Sequence, residues 1–273
     1  MKTPTKEELR IEAMPEFERK MRDAAAIVSS IVGLVAAKAK PGVTLNQLDD
    51  YAAQLCKQFK AEPYNLGYKP FFATSPYPAI LCLSVNDMIA HGIPNDYALK
   101  EGDTLNIDTG IKFNGVCGDC ALTIPIGQID NKTERLLRFA NRACYAGIQK
   151  IKAGALVVEV AKAVETYAMQ MNYVTNVVFC GHDIGEEMHK DLSIPFFTSF
   201  DPRYVAAFAG KKFVAGQVVC LEPMLTYKDR RGQLLQDGWG RVTADGKNSA
   251  MFEHMVLVKE DGYEILTDHF VKA

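Results

Sequence analysis

Apolar and polar residues alternate most strictly near the middle of the chain. In Asp103-Thr-Leu-Asn-Ile-Asp-Thr-Gly-Ile-Lys-Phe113, the residues Leu105, Ile107, Ile111 and Phe113 share one side, the period of a half-buried strand. Asn114-Gly115 follows, a pair that supplies both positive-φ residues of a type I′ turn, so a two-residue hairpin is expected. Phe113 then faces Val116, Asp119 faces Gly110, and Asp108 is the next residue on that same face. The two carboxylates become diagonal cross-strand neighbours with backbones roughly 7–8 Å apart. Aspartate is disfavoured within strands, and two so close repel unless a cation or a proton intervenes. A solvated polar face is the plain alternative, and the rest of the chain decides between them.

Around the hairpin the apolar period is helical. Met14 to about Ala39 carries apolar residues at helical spacing and stops at Lys40-Pro41-Gly42. Thr44-Leu-Asn-Gln47 is a capping-box start for a second helix to about Phe59, with Leu45, Leu48, Ala52 and Leu55 inward. A third helix is expected from Asn131 to about Ile151, and a fourth from about Val157 to Met171. Strands are expected at Ile80 to Val85, Val174 to Phe179, Phe213 to Met224 and Ala250 to Val258. A faint repeat links Lys40-Pro-Gly-Val-Thr-Leu-Asn-Gln-Leu48 with Lys152-Ala-Gly-Ala-Leu-Val-Val-Glu-Val160. If real, it implies two αα-plus-sheet halves facing each other across a cleft. No long Ser/Pro/Gly linker separates them, so residues 1–273 are expected to form one domain, with 1–13 a flexible N-terminal segment.

Composition narrows the classes. The 273 residues are 48% hydrophobic, enough for a large core, which excludes disorder and a disulfide-stapled miniature. A net charge of −2 gives no support to a nucleic-acid footprint or a polybasic membrane surface. The longest apolar run, Ala24 to Ala37, is broken by Ser29, Ser30 and Gly33 and is too short to span a bilayer. It follows Glu16 to Asp23, which mixes acids and bases unlike a signal peptide. Seven scattered cysteines suit a reducing compartment, and a cytoplasmic location is expected. Cys117-Gly-Asp-Cys120 is a C-x-x-C, but it has no second pair or finger-spaced histidines, and it sits on a strand rather than at a helix start.

Further ligand-capable groups interrupt apolar stretches. They are His91, the pair His182 and His189 flanking a Gly-rich bend, Glu222 and Glu253. Each alone has a bland reading: a loop histidine as a surface hydrogen-bonding group, a strand glutamate at an exposed edge. Glu222 and Glu253, however, sit among neighbours too apolar for a solvated face, and charges are rarely buried without a partner. Together Asp108, Asp119, His182, Glu222 and Glu253 offer four carboxylates and one imidazole. Two divalent cations would balance the four negative charges, which could not all persist in one pocket without them. Oxygen-rich donors suit Mn²⁺, Fe²⁺ or Co²⁺ more than a thiolate zinc site. Two ions about 3.5–4 Å apart can activate a bridging water and polarise a carbonyl oxygen, which is hydrolase chemistry.

The ordered set Ala90-His-Gly-Ile-Pro94, Asn106-Ile-Asp-Thr-Gly110, Gly118-Asp119, Cys180-Gly-His-Asp-Ile-Gly185, Leu221-Glu-Pro-Met224 and Glu253-His254 resembles the type I methionine aminopeptidases. The likeness runs from the first long helix to about Leu266. It implies an α+β pita-bread fold, two pseudo-related halves with helices outside a curved antiparallel sheet. It also implies an enzyme removing initiator methionine from a peptide or nascent-chain N-terminus, with a small second residue preferred. By resemblance, Asp108, Asp119, His182, Glu222 and Glu253 hold two divalent ions (Co, Mn, Fe or Zn), with Asp119 and Glu253 bridging. His91 and His189 contact the substrate backbone and stabilise the tetrahedral intermediate, and Glu222 shuttles the proton. Tyr68, Cys82 and Trp239 line the methionine pocket, with Met188 where the family commonly has phenylalanine.

Other departures are Asp183 in place of the middle glycine of Gly-His-Gly-Ile-Gly and Asn65 where the family often has cysteine. Longer loops at Lys69 to Ala79 and between His189 and Glu222 also depart from the family. The expected partners are the peptide substrate and a transient ribosome contact, with a monomer and neither nucleic acid nor membrane. Two alternatives share the fold. One is a proline-specific peptidase, whose members typically carry an added N-terminal domain, whereas only about a hundred residues precede Asp108 here. The other is a non-catalytic binding module, whose members have lost ligand residues that this chain retains.

Overall fold

The computed structural model describes residues 15–70, 73–198 and 206–267. The expected flexible segment 1–13 and the start of the first helix at Met14 lie outside them, as do parts of both longer loops.

Four long helices among the described residues carry the outer layer. Helix α1 (Glu16–Lys38) buries Met21, Ala24, Ala25, Val28, Ile31, Val32 and Val35, one face repeating at three and four residues. Helix α2 (Leu45–Phe59) opens on the expected capping box, with Thr44 Oγ1 accepting from Gln47 N and Gln47 Oε1 accepting from Thr44 N. Helix α3 (Asn131–Ile148) is capped by the Asp130 carboxylate on Thr133 N. It ends three residues earlier than its apolar period suggests, because Lys150 and Ile151 turn back onto Gly147 and Ile148. Helix α4 spans Val157–Gln170. No helix among the described residues is long and apolar enough to cross a membrane.

The faint repeat is structural. Helices α2 and α4 begin at Leu45 and Val157, 112 residues apart. Gly42 and Gly154, at the same spacing, take φ of +89° and +78°. In each copy the glycine N–H donates to a later strand-like segment, Gly42 to Leu99 O and Gly154 to Phe213 O. The first helix pair covers the long hairpin, and the second pair covers a separate five-stranded sheet, each over its own apolar core.

The hairpin joins Thr104–Phe113 to Val116–Pro125, with Phe113 opposite Val116, Gly110 opposite Asp119 and Asp108 opposite Ala121. Asn114 and Gly115 have φ of +50° and +83°, as a type I′ turn requires. Cys82–Val85 pairs on the outer side of the first strand, and Glu62–Pro63 pairs near its end. The second sheet runs in the order Gly262–Ile265, His254–Lys259, Val218–Leu221, Gly181–Ile184, Ser193–Ile194.

Several expected strands are shorter than their hydrophobic runs. Val174 to Phe179 keeps only Val174–Thr175, since Asn176 Oδ1 accepts from Val178 N and Phe179 N and turns the chain. Phe213 to Met224 splits into Val218–Leu221 and Met224–Thr226, and Ala250 to Val258 into Ala250–Met251 and His254–Lys259. The first interruption holds Glu222 and the second holds Glu253. The halves are stitched on either side of Asp119: Cys117 N donates to Gly185 O at 2.7 Å, and Glu253 N to Ala121 O at 2.8 Å.

Candidate metal centre and substrate pocket

Each acidic side chain reaches the interior for a local reason. Asp119 sits mid-strand on the face turned toward the second sheet, beside Gly118. A Cβ on Gly118 would lie 2.8 Å from Ala24 O, so the glycine lets this strand press onto α1. His182 is similarly placed by Gly181, whose Cβ would lie 2.3 Å from Cys220 O. Along Val218–Leu221, Val219 and Leu221 face the outer core, whereas Val218 and Cys220 face inward with His182, which is directly opposite Cys220. Glu222 follows two residues later, at the strand's end.

Donor atoms of Asp119, His182, Cys220 and Glu253 all lie within 4.8 Å of one another, and all four residues are buried. His182 Nε2 is 3.5 Å from Glu222 Oε1 and 3.8 Å from Asp119 Oδ2. Glu253 is 3% exposed, and its Oε1 is buried without any hydrogen-bond partner. Burial pushes the Asp108 carboxyl up to about 7. Burial, reinforced by Asp108, holds Asp119 well above the usual carboxylate range. Burial, then Asp119 and the other carboxylates, does the same to Glu222 and Glu253. His182 is pushed the opposite way, to about 3, by burial and by His189. A neutral imidazole among crowded carboxylates with an orphaned oxygen is the chemistry of a cation site. The donor set fits divalent metal.

The other two histidines stand beside this cluster. The His189 ring is 4.4 Å from that of His182 and 5.8 Å from that of Tyr68, whose hydroxyl lies 3.3 Å from His189 Nδ1. His91 has φ of +57°, strained for a residue with a Cβ, and meets Phe179 edge-on at 5.0 Å and Trp239 at 6.2 Å. Burial lowers His91 to about 4, with His189 adding to it, and burial also lowers His189.

Cys82 and Trp239 form one apolar cluster with Ala73, Tyr77 and Ala79, and Tyr68 packs against it. Tyr77, which the sequence did not single out, holds Trp239 edge-on at 5.0 Å and donates to Leu81 O or Gly92 O. Met188 belongs instead to the core of the first half, over Gly110. Asn65 links the two regions through Nδ2, 3.1 Å from Ile80 O and 3.8 Å from Cys82 Sγ. Asp183 adds no carboxylate to the site. Its neighbour His182 takes the inner face, and the Asp183 oxygens accept from Leu192 N and Gln217 Nε2. Cys117 and Cys120, three residues apart on one strand, leave opposite faces. Besides Tyr77, sequence reading missed Cys220, legible only through its even spacing from Glu222.

The model of metallopeptidase family M24 matches residues 19–260. Methionine aminopeptidase 1 of Bacillus subtilis is 34% identical over 247 residues, covering 90% of this chain and 94% of its own. The crystal structure of methionine aminopeptidase from Rickettsia prowazekii superposes with a TM-score of 0.83 at 32% identity, covering 91% and 95% of the two chains. That from Thermotoga maritima gives 0.84 at 28%, covering 93% and 97%. Prolidase from Pyrococcus furiosus shares the fold, with a TM-score of 0.71 at 18% identity, but this chain covers only 66% of it. The antiparallel sheets with helices packed outside are thus the α+β pita-bread architecture. By these matches the chain belongs to metallopeptidase family M24 and groups there with the methionine aminopeptidases.

Proposed function

We propose that this enzyme removes the initiator methionine from peptide and nascent-chain N-termini, with a small second residue preferred. The observation that carries the reading is the set of four carboxylates around a neutral histidine in a family M24 chain, with Asp119, His182 and Glu253 buried and Asp108 and Glu222 half-buried. Asp108, Asp119, His182, Glu222 and Glu253 would hold two divalent ions drawn from Co, Mn, Fe or Zn, with Asp119 and Glu253 touching both. When bound, such ions supply a Lewis acid for the scissile carbonyl and an activated water. Glu222, at the edge of the cluster and 3.5 Å from His182 Nε2, would take the proton from the attacking water and pass it to the leaving amine.

His91 and His189 remain neutral near physiological pH, so their N–H groups can donate to substrate carbonyls and to the developing oxyanion. Tyr68 orients His189 through Nδ1. The methionine side chain would enter the cluster of Cys82, Tyr77 and Trp239, where apolar walls exclude water. Met188 and Asn65 shape its floor from behind. The expected setting is one catalytic domain acting as a monomer in the cytoplasm, with transient ribosome contact.

A proline-specific peptidase remains a distinct outcome of the test. Hydrolysis of Met-Ala-Ser and of Ala-Pro-containing peptides, with and without chelator, separates the readings. Chelator-sensitive release of methionine alone supports this one. Preferential cleavage beside proline supports the alternative, and neither reaction in metal-loaded protein leaves a binding module.

A further inference from the structure

Cys220 is the one member of the buried donor cluster that the hydrolase reading does not use. It is fully buried, on the inner face of its strand, directly opposite His182 on one side and Met255 on the other. Met255 Sδ in turn accepts from Asp119 N at 3.3 Å. Two sulfurs therefore flank the carboxylates, and Cys220 Sγ lies within 4.8 Å of donor atoms of Asp119, His182 and Glu253. One sulfur, one imidazole nitrogen and two carboxylate oxygens make a four-donor set of the kind that closes around a single tetrahedral ion. Thiolate donors select soft and borderline ions, whereas oxygen-rich sets suit harder ones such as Mn²⁺.

We propose that the centre has a second, thiophilic mode of metal binding, in which Cys220 Sγ joins Asp119, His182 and Glu253 around one soft or borderline ion such as Zn²⁺, Co²⁺ or Cd²⁺. The inference rests on the metal-centre reading above and adds a ligand to it. Binding forms one sulfur–metal bond, and the thiol proton leaves to the buffer. Asp108 and Glu222 stay outside this set, so the thiophilic mode and the two-ion mode compete for Asp119, His182 and Glu253. Soft ions would then occupy the protein in a form distinct from the one that hydrolyses peptides.

Cobalt(II) titrated into the metal-stripped full chain tests this by absorption. The expected result is visible ligand-field bands together with a near-ultraviolet sulfur-to-cobalt charge-transfer band that rises with the first ion. Cys220→Ser should keep the visible bands and lose the ultraviolet one. Its cadmium affinity should fall roughly tenfold while its manganese affinity stays within about threefold. Cys144→Ser is the control, since that buried thiol lies outside the cluster with Sγ 3.4 Å from Leu221 O, and the band should persist. Cobalt bound without the charge-transfer band, or equal losses of cadmium and manganese affinity in Cys220→Ser, would overturn the thiophilic mode and leave the metal centre standing. Failure of the wild type to bind cobalt at all would overturn both. Should Cys220→Ser not fold, cadmium NMR of the wild type decides: a resonance displaced downfield by sulfur supports the proposal, and one in the oxygen–nitrogen range refutes it.

Discussion

Gly110 and Asp119 face each other across the hairpin, and the methyl of Met188 fills the space in front of Gly110. A Cβ at position 110 would come within 2.3 Å of Met188 Cε. Met188 thus packs at Gly110, where Tyr64 and Asn65 also lie, and would act on the proposed pocket through Asn65, whose Nδ2 is 3.8 Å from Cys82 Sγ. A flexible thioether fits such a gap more readily than a ring. Met188→Phe should press on Asn65 and tighten selection, so the wild type should admit leucine better than the variant. The contrast is limited to about 1–3 kcal/mol, the worth of one methylene-scale misfit. The kcat/KM values for Met-Ala-Ser and Leu-Ala-Ser in both proteins measure it. An unchanged ratio would take Met188 out of the specificity machinery.

Either proposed bridging carboxylate should be indispensable. Asp119→Asn and Glu253→Gln each remove one negative charge from a balanced set, and each should lose both bound metal and turnover. Metal content after dialysis, read beside peptide hydrolysis, checks this. An Asp119→Asn protein with two retained ions and near-normal rate would break the two-ion assignment.

His189→Ala should separate chemistry from metal binding. It should keep its metal and lower kcat by a factor of roughly 10²–10³, the usual loss for one transition-state donor. His91→Ala should also retain metal while losing turnover. Metal loss from either variant would move that histidine into the ligand set.

Gly118 sets how closely the Asp119 strand approaches α1. The atom that an added Cβ would strike is backbone, Ala24 O at 2.8 Å, so no rotamer change relieves it. Gly118→Ala should cost about 1–3 kcal/mol of stability, the usual range for overpacking. Denaturant melts of the metal-free protein measure it, and a neutral result would mean that the helix shifts freely.

The hairpin was legible because its register follows from one Asn-Gly turn and a strict period of two. The capping box at Thr44 and Gln47 was legible for a similar reason, a short-range motif with one geometry. The strands of the second half were read too long because apolar runs do not mark where a chain leaves a sheet. The breaks fall at Glu222 and at Phe252-Glu253, so the misread positions are those that aim carboxylates inward. The direction of Asp183 follows from strand parity alone: adjacent to His182, it must face away, and its oxygens meet Leu192 N and Gln217 Nε2 instead. Cys220 was overlooked because a cysteine in a Val-Leu strand looks like ordinary core, and only its pairing with His182 shows which way it points.

Removing metal should make stability fall with rising pH, and the sign follows from two opposed sets of groups. Asp108, Asp119, Glu222 and Glu253 have raised values when folded, so the folded state holds protons that the unfolded chain has lost. Their contribution is full below the ordinary values of 3.8 and 4.5 and is lost as pH rises through the folded ones, about 7 for Asp108. His182 and His91 act the other way, since folding keeps them neutral down to about 3 and about 4. They cost stability below their ordinary value of 6.5 and nothing above it. Between 4.5 and 6.5 the two sets oppose each other; above 6.5 only the carboxyls titrate. The Tm of chelator-treated protein should therefore decline from pH 6.5 toward about pH 8. Saturating manganese should raise Tm, by about 2.7 kcal/mol of stability at a hundredfold excess over Kd, and should flatten or reverse the slope as cations replace protons. A metal-stripped protein whose Tm does not move across that window would mean that the four carboxyls are not crowded together in solution.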